Sequence, residues 1–242
     1  MDLGLWATWY DVDASDEAAL AQWTHSVYLP TLLQRPGMAW AAHYRNTGGG
    51  PAMDELHRVA SRPAAPVPTG CRYLLLVGAA SPHTFFNPHV ADWTEDEEHA
   101  RFLQMRRRAR SEFYVEEVRV DGGASEHRFV GSTSAPAIQF GCYTMRSVEA
   151  ELDLTRWYAQ QRLPLMSRMR GCVRTRKMVS VAGAAKHGVL YEFASLEARL
   201  KEHEEPHESK TLDSKAWTGK MAANAIYTPG SPFVGERVWP AI

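Results

Sequence analysis

Along some stretches of the chain apolar and polar residues alternate, and along others apolar residues recur every three to four positions. Residues 3–11 predict a strand, with Trp6, Thr8 and Tyr10 on one face and Leu5, Ala7 and Trp9 on the other. Asp13 to Asp16 offer N-caps for a helix over about 17–29, where Leu20, Trp23 and Val27 share a face. Pro30 cannot donate to that helix and disfavours a helical Leu29, so the helix is expected to end or kink there. Residues 38–45 predict a strand with Trp40, Ala42 and Tyr44 opposite Ala41, His43 and Arg45. A long connection over 46–70, with a short helix near 53–59, leads to an apolar strand over 71–79. A second excursion spans 81–93. Thr94-x-x-Glu97 has the spacing of a capping box for a helix to about Ser111, and residues 113–120 predict a strand.

The order then returns. Residues 138–145 predict a strand, 149–163 a helix, 172–181 and 187–193 two strands, 195–205 a helix capped by Ser195, and 223–227 a last strand. One motif fixes the register of the repeat. Trp23, Leu29, Pro30 and Gly37 recur as Trp157, Leu163, Pro164 and Gly171, all at the same offset along the chain. Strand-helix-strand-strand-helix-strand is the ferredoxin-like unit, an antiparallel sheet with helices on one face. Two copies can cover each other's open faces. The expected fold class is α+β, with two ferredoxin-like repeats forming an intramolecular dimeric barrel. The repeats are expected over 1–120 and 138–242, joined by a Gly- and Ser-rich linker over 121–137 and closed by a Pro-rich tail over 228–242 that Phe233 and Trp239 anchor.

The pattern Trp-x5-Leu-Pro-x6-Gly, followed by a strand rich in Arg and aromatics, resembles the dimeric α+β barrel superfamily. It is most similar to the EthD-like group and to stress-responsive α/β-barrel proteins, over roughly 3–120 and 138–227. Tyr28 and Arg162 stand where many EthD-like members carry His. The superfamily includes cofactor-free monooxygenases, polyketide cyclases, lactone isomerases and haem-degrading enzymes. The resemblance implies a pocket between the sheet and helices of one unit, and small-molecule chemistry without a bound cofactor.

Composition narrows the partners. Lys and Arg total 27 against 28 for Asp and Glu, so net charge gives no reason to expect nucleic acid or an anionic membrane. Cys71, Cys142 and Cys172 show no C-x-x-C spacing, which suits a reducing compartment. The N-terminus lacks a basic region followed by an apolar run, and no run of about 18 apolar residues appears. A cytoplasmic protein is expected, with a small-molecule ligand as partner, and the pseudo-dimer could pair further.

His and Tyr can move protons or hold an enolate. The expected catalytic residues are His43 as general base with His25, Tyr28 and Tyr10, and the expected substrate contacts are Trp6, Trp9, Trp40 and Tyr73. Seven of the ten His residues (25, 43, 57, 83, 89, 99 and 127) and both long excursions fall in the first half, so the working pocket is expected there. No metal is expected. His203-Glu-Glu-Pro-His207 has the letters of a zinc motif, but Pro206 interrupts the turn that must align the two His. His83 and His89 on a loop are weak metal ligands by spacing, and Arg106 to Arg110 read as compensation of a helix dipole. The expected activity is cyclase, isomerase or monooxygenase chemistry on an aromatic or polyketide-like substrate. The alternatives are a non-catalytic small-molecule binding protein, or a haem enzyme of chlorite dismutase-like architecture, which needs an axial His facing a large apolar pocket.

Overall fold

The computed structural model describes residues 2–90, 93, 96–125 and 132–241. Thr94 and His127 lie outside the described residues. In chain order the first half holds β1 (Gly4–Asp11), α1 (Glu17–Trp23), α2 (Leu29–Leu33), β2 (Met38–Asn46), α3 (Pro51–Val59), β3 (Tyr73–Ala79), α4 (Glu97–Gln104) and β4 (Arg107–Asp121). The second half holds β5 (Ala137–Met145), α5 (Val148–Trp157), α6 (Leu163–Arg168), β6 (Cys172–Ala182), β7 (His187–Phe193), α7 (Leu196–Ala198), α8 (Glu205–His207), α9 (Trp217–Ala223), β8 (Ala225–Tyr227) and β9 (Phe233–Trp239).

The alternation along each strand decides the layers. One face of β1 and β2 sends Leu5, Ala7, Trp9, Trp40 and Tyr44 inward, where they meet Tyr114, Phe140 and Phe233. The other face sends Trp6, Tyr10 and Ala41 outward against Leu20, Trp23 and Leu29 of the helices. The strands run β7-β6-β4-β1-β3-β2-β9-β5, all antiparallel, and β5 pairs back to β7, so eight strands close a barrel. The halves join twice, at β4–β6 and at β2–β9. Closure leaves no unpaired sheet edge between the repeats.

Gly78 on β3 marks how tightly the interior is filled. A Cβ there would sit 2.2 Å from the Trp40 ring. That ring cannot simply yield, because its Nε1 donates to Asp2 Oδ2 at 2.8 Å. Gly78→Ala is therefore expected to destabilise the fold by about 1–3 kcal/mol, the range for overpacking. Denaturant unfolding measures this, and an unchanged midpoint would mean that Trp40 is free to move.

Four expectations change in the structure. First, of the two outcomes expected at Pro30, an end or a kink, the helix does not end there. It widens into a π-helical turn, Thr24–Tyr28, in which the Leu29 N–H bonds to the Thr24 carbonyl, and then continues as α2. The wider turn relieves the clash of the proline ring with the preceding carbonyl. Tyr158–Arg162 before Pro164 and Arg199–Glu204 before Pro206 repeat the device. Second, α4 ends at Gln104, and its cap is Asp96, whose side chain accepts from the His99 N–H. From Arg107 onward the basic run belongs to β4 instead. Arg107 and Arg108 pair with Asp13 and Asp11, and Arg110 lies over the Trp9 ring. Third, the expected tail supplies β9, which pairs with both β2 and β5. Fourth, the 46–70 excursion leaves its own half. Met53 and Leu56 of α3 pack into the second-half core, and the Gly50 N–H donates to Glu204 at 2.9 Å. Only glycine permits that approach, since a Cβ on Gly50 would lie 2.4 Å from the Glu204 carboxylate.

Candidate functional site

Three neighbouring strands set polar side chains on the helix-facing side of the first half. Tyr10 of β1 pairs in register with Tyr73 of β3, and β2 brings His43 beside them. The π-helical turn before Pro30 carries His25 to the same place. His25 Nε2 lies 2.8 Å from His43 Nδ1, and His43 Nε2 lies 2.7 Å from the Tyr10 hydroxyl. Tyr73 packs against both Tyr10 and His43 and donates its hydroxyl to Glu17. The result is an unbroken chain from half-buried His25 through His43, which is 1% exposed, to buried Tyr10.

Burial sets the protonation of this chain. It lowers His25 below the ordinary imidazole value. It lowers His43 much further, with His25 and the Arg106 guanidinium adding to the effect. Burial raises Tyr10 despite Arg106 nearby. At neutral pH all three are uncharged. A neutral imidazole carries one N–H, so the two bonds of His43 are coupled: if Nε2 donates to Tyr10, Nδ1 must accept from His25.

The expected site residues are therefore only partly gathered. His25, His43, Tyr10 and Tyr73 are in mutual contact. Tyr28 stacks on Trp23 and meets Trp93 and His99 instead, and it shares with Tyr10 only the Arg106 guanidinium, 4.7 and 5.2 Å from the two rings. Trp6 stays on the helix side but packs on Phe85 and Phe113. Trp9 and Trp40 point into the barrel, on the opposite side of the sheet from His43. They cannot line one pocket with it, because adjacent residues of a strand face opposite ways. His43 also cannot take a substrate proton directly, since both its ring nitrogens already face protein partners. Two residues enter unexpectedly. Arg106 covers Tyr10 and Tyr28, and Trp239 of β9 stacks on His25 with ring centroids 6.3 Å apart. The apolar anchors Phe233 and Trp239 in the tail were the available signal for that last strand.

The cavities do not follow the expectation that the first half holds the working pocket. Between its helices, a space of about 40 Å³ is lined by Trp23, Tyr28, Trp93 and His99 and does not reach His43. In the second half, between helices and sheet, a space of about 60 Å³ is lined by Trp157, Tyr158, Arg162, Tyr191, Glu208 and Tyr227. Leu56, from the first-half excursion, covers part of it.

A haem does not fit the space at Arg162 and Tyr191. Ligand pockets are typically about 300–1,000 Å³, well above the space present. Of the two buried histidines of the second half, His203 faces the rings of Tyr191 and Phe193 and the Glu208 carboxylate, and His187 lies 2.6 Å from the Glu151 carboxylate. Among the described residues no group of three or more His, Cys, Asp or Glu side chains could hold a metal ion, and no helix is long and apolar enough to cross a membrane.

No family model and no curated protein matches the chain. Solved structures do. An anthrone oxidase-like protein superposes with a TM-score of 0.60 at 9% identity, over 98% of this chain and 91% of its own. A candidate monooxygenase of Fusobacterium nucleatum gives 0.57 at 9% identity, over 98% and 93%. A candidate chlorite dismutase gives 0.52 at 11% identity, over 98% and 96%. Such identities establish the fold alone: a ferredoxin-like α+β barrel built from a tandem repeat within one chain.

Proposed function

We propose that this tandem α+β barrel is an enzyme of small-molecule metabolism that moves a proton on an aromatic or polyketide-like substrate with its own side chains. Cyclisation, isomerisation, or oxygenation of a substrate that itself activates oxygen would each begin with such a step. The observation that carries the reading is the hydrogen-bonded chain His25–His43–Tyr10.

In this proposal His25 is the general base and His43 the positioning residue. With Nε2–H of His25 donated to His43, Nδ1 of half-buried His25 keeps its lone pair for a substrate. A proton leaving substrate carbon or oxygen bonds to that nitrogen, and the electron pair it leaves becomes the enolate or phenolate. The Trp239 ring stacked on His25 favours the imidazolium that forms. It also offers a flat apolar face to an aromatic substrate. With the Tyr10 hydroxyl accepting from His43 Nε2–H, His43 Nδ1 is left to accept from His25, and Tyr73 packs the pair in place.

Deuterium incorporation tests the reading. A panel of aryl ketones and hydroxylated naphthalenes is incubated with the protein in D2O and followed by mass spectrometry. Ligands that bind should exchange carbon-bound hydrogen faster than in buffer. Binding without accelerated exchange would favour the second reading, a non-catalytic binding protein. The burial of His43 behind His25 is the observation on that side.

A further inference from the structure

The second-half cavity holds two buried donors with nothing to donate to. Arg162 is 3% exposed, yet its Nη1 has no hydrogen-bond partner among the described residues. Trp157 is 5% exposed, and its Nε1 is likewise unpartnered. Both side chains line the cavity, with the guanidinium 4.6 Å from the Trp157 ring. A buried donor left unpaired costs about 1–3 kcal/mol, so two of them at one cavity need an explanation.

The neighbours define what would satisfy them. The charge of Arg162 is already matched, because its Nη2 lies 3.0 Å from Glu208 Oε1. Three of the tyrosine hydroxyls bond one another, Tyr158 with Tyr143 at 2.9 Å and with Tyr191 at 3.2 Å. Leu154, Val189 and Met221 complete an apolar wall. The missing group is therefore an uncharged acceptor on a small apolar body. A water needs about 10–15 Å³ of such space, so about 60 Å³ admits roughly four to six heavy atoms.

We propose that this cavity binds a small uncharged carbonyl compound, whose oxygen accepts from Arg162 Nη1 with Trp157 Nε1 as the second donor. A full anion is disfavoured, since Glu208 also lines the space. The site is independent of the His25 chain and stands whether or not that chain is catalytic.

The test uses the whole chain and 2-butanone, followed through the Trp157 indole N–H resonance, which Trp157→Phe assigns by deletion. The ketone is expected to shift that resonance with millimolar affinity. Its isostere 2-methyl-1-butene and the anion propanoate are expected to bind at least about tenfold more weakly, the worth of one lost hydrogen bond. Trp157→Phe should weaken ketone binding by a similar factor, read from perturbed methyl resonances. Arg162→Met alone would strand Glu208, so the deletion is made as Arg162→Met with Glu208→Leu, and that variant should lose ketone binding about tenfold or more. An unmoved indole resonance, equal binding of the alkene or of propanoate, or full ketone affinity in the double variant would each overturn the proposal.

Discussion

His25→Ala is expected to lower the rate of substrate proton exchange about a hundredfold or more, the usual contribution of a positioned general base. Half-buried His25 is the member of the relay that meets solvent, whereas His43 is closed off behind it. His43→Ala should also slow exchange, but through His25, and its signature is the pH profile. In the native protein burial lowers His25 below 6.5, so its neutral, basic form persists to lower pH than in an ordinary histidine. The rate should therefore fall only as pH drops through that lowered value. In His43→Ala, water entering the vacated space should move the limb back up towards 6.5. His43→Gln, which can still pair with His25, should recover part of the rate. Wild-type exchange in His25→Ala would remove it as the base. An unmoved pH limb in His43→Ala would remove the positioning role.

Glu208→Ala is expected to cost about 3–5 kcal/mol of folding stability, the range for breaking a buried ion pair. It leaves Arg162 buried among Trp157 and Tyr191 with no counter-charge. For a chain of this size that corresponds to a fall of about 6–20 °C in Tm. Arg162→Met with Glu208→Leu should recover most of the loss, because neither charge is then stranded. A single-variant cost below about 1 kcal/mol, the median of exposed pairs, would contradict the buried-pair assignment.

The same cluster predicts acid sensitivity in two windows. Burial lowers His203 to about 4, and Glu208, 3.2 Å away but out of line for a hydrogen bond, only partly offsets this. Between pH 6.5 and about 4 the unfolded chain takes up a proton at this position that the folded chain refuses. Stability present above 6.5 is thus lost across that window, on the order of 3 kcal/mol. Burial would raise Glu208, but Arg162, His203 and Arg199 together hold it well below 4.5. Its contribution, present above 4.5, fades only in stronger acid. His203→Leu should abolish the upper window in urea titrations at pH 7 and pH 4.5. A variant with the wild-type slope would assign the window to another group.

Much of the fold was legible because local rules and tertiary need agree there. Trp23 and Trp157 face their cores as the helical period requires, and Ser195 caps its helix. The strand alternation already separated His43 from Trp40 and Tyr10 from Trp9, so the observed faces were readable, whereas a pocket joining all four was not available to the chain. The arginine run failed as a helix end because Asp11 and Asp13, distant in sequence, pair with Arg108 and Arg107 across the sheet.

By itself the sequence determined the repeat, the strand faces and the residues able to form a proton relay. These follow from period and side-chain chemistry, which are local. Only the tertiary structure decided that His25 rather than His43 faces outward, and that Trp239 reaches His25 by closing the barrel. It also decided that α3 crosses to the other half, and that the cavity at Arg162 persists. Each of these depends on which side chains fill a shared volume, and residues far apart along the chain compete for that volume without leaving a periodic trace in either segment.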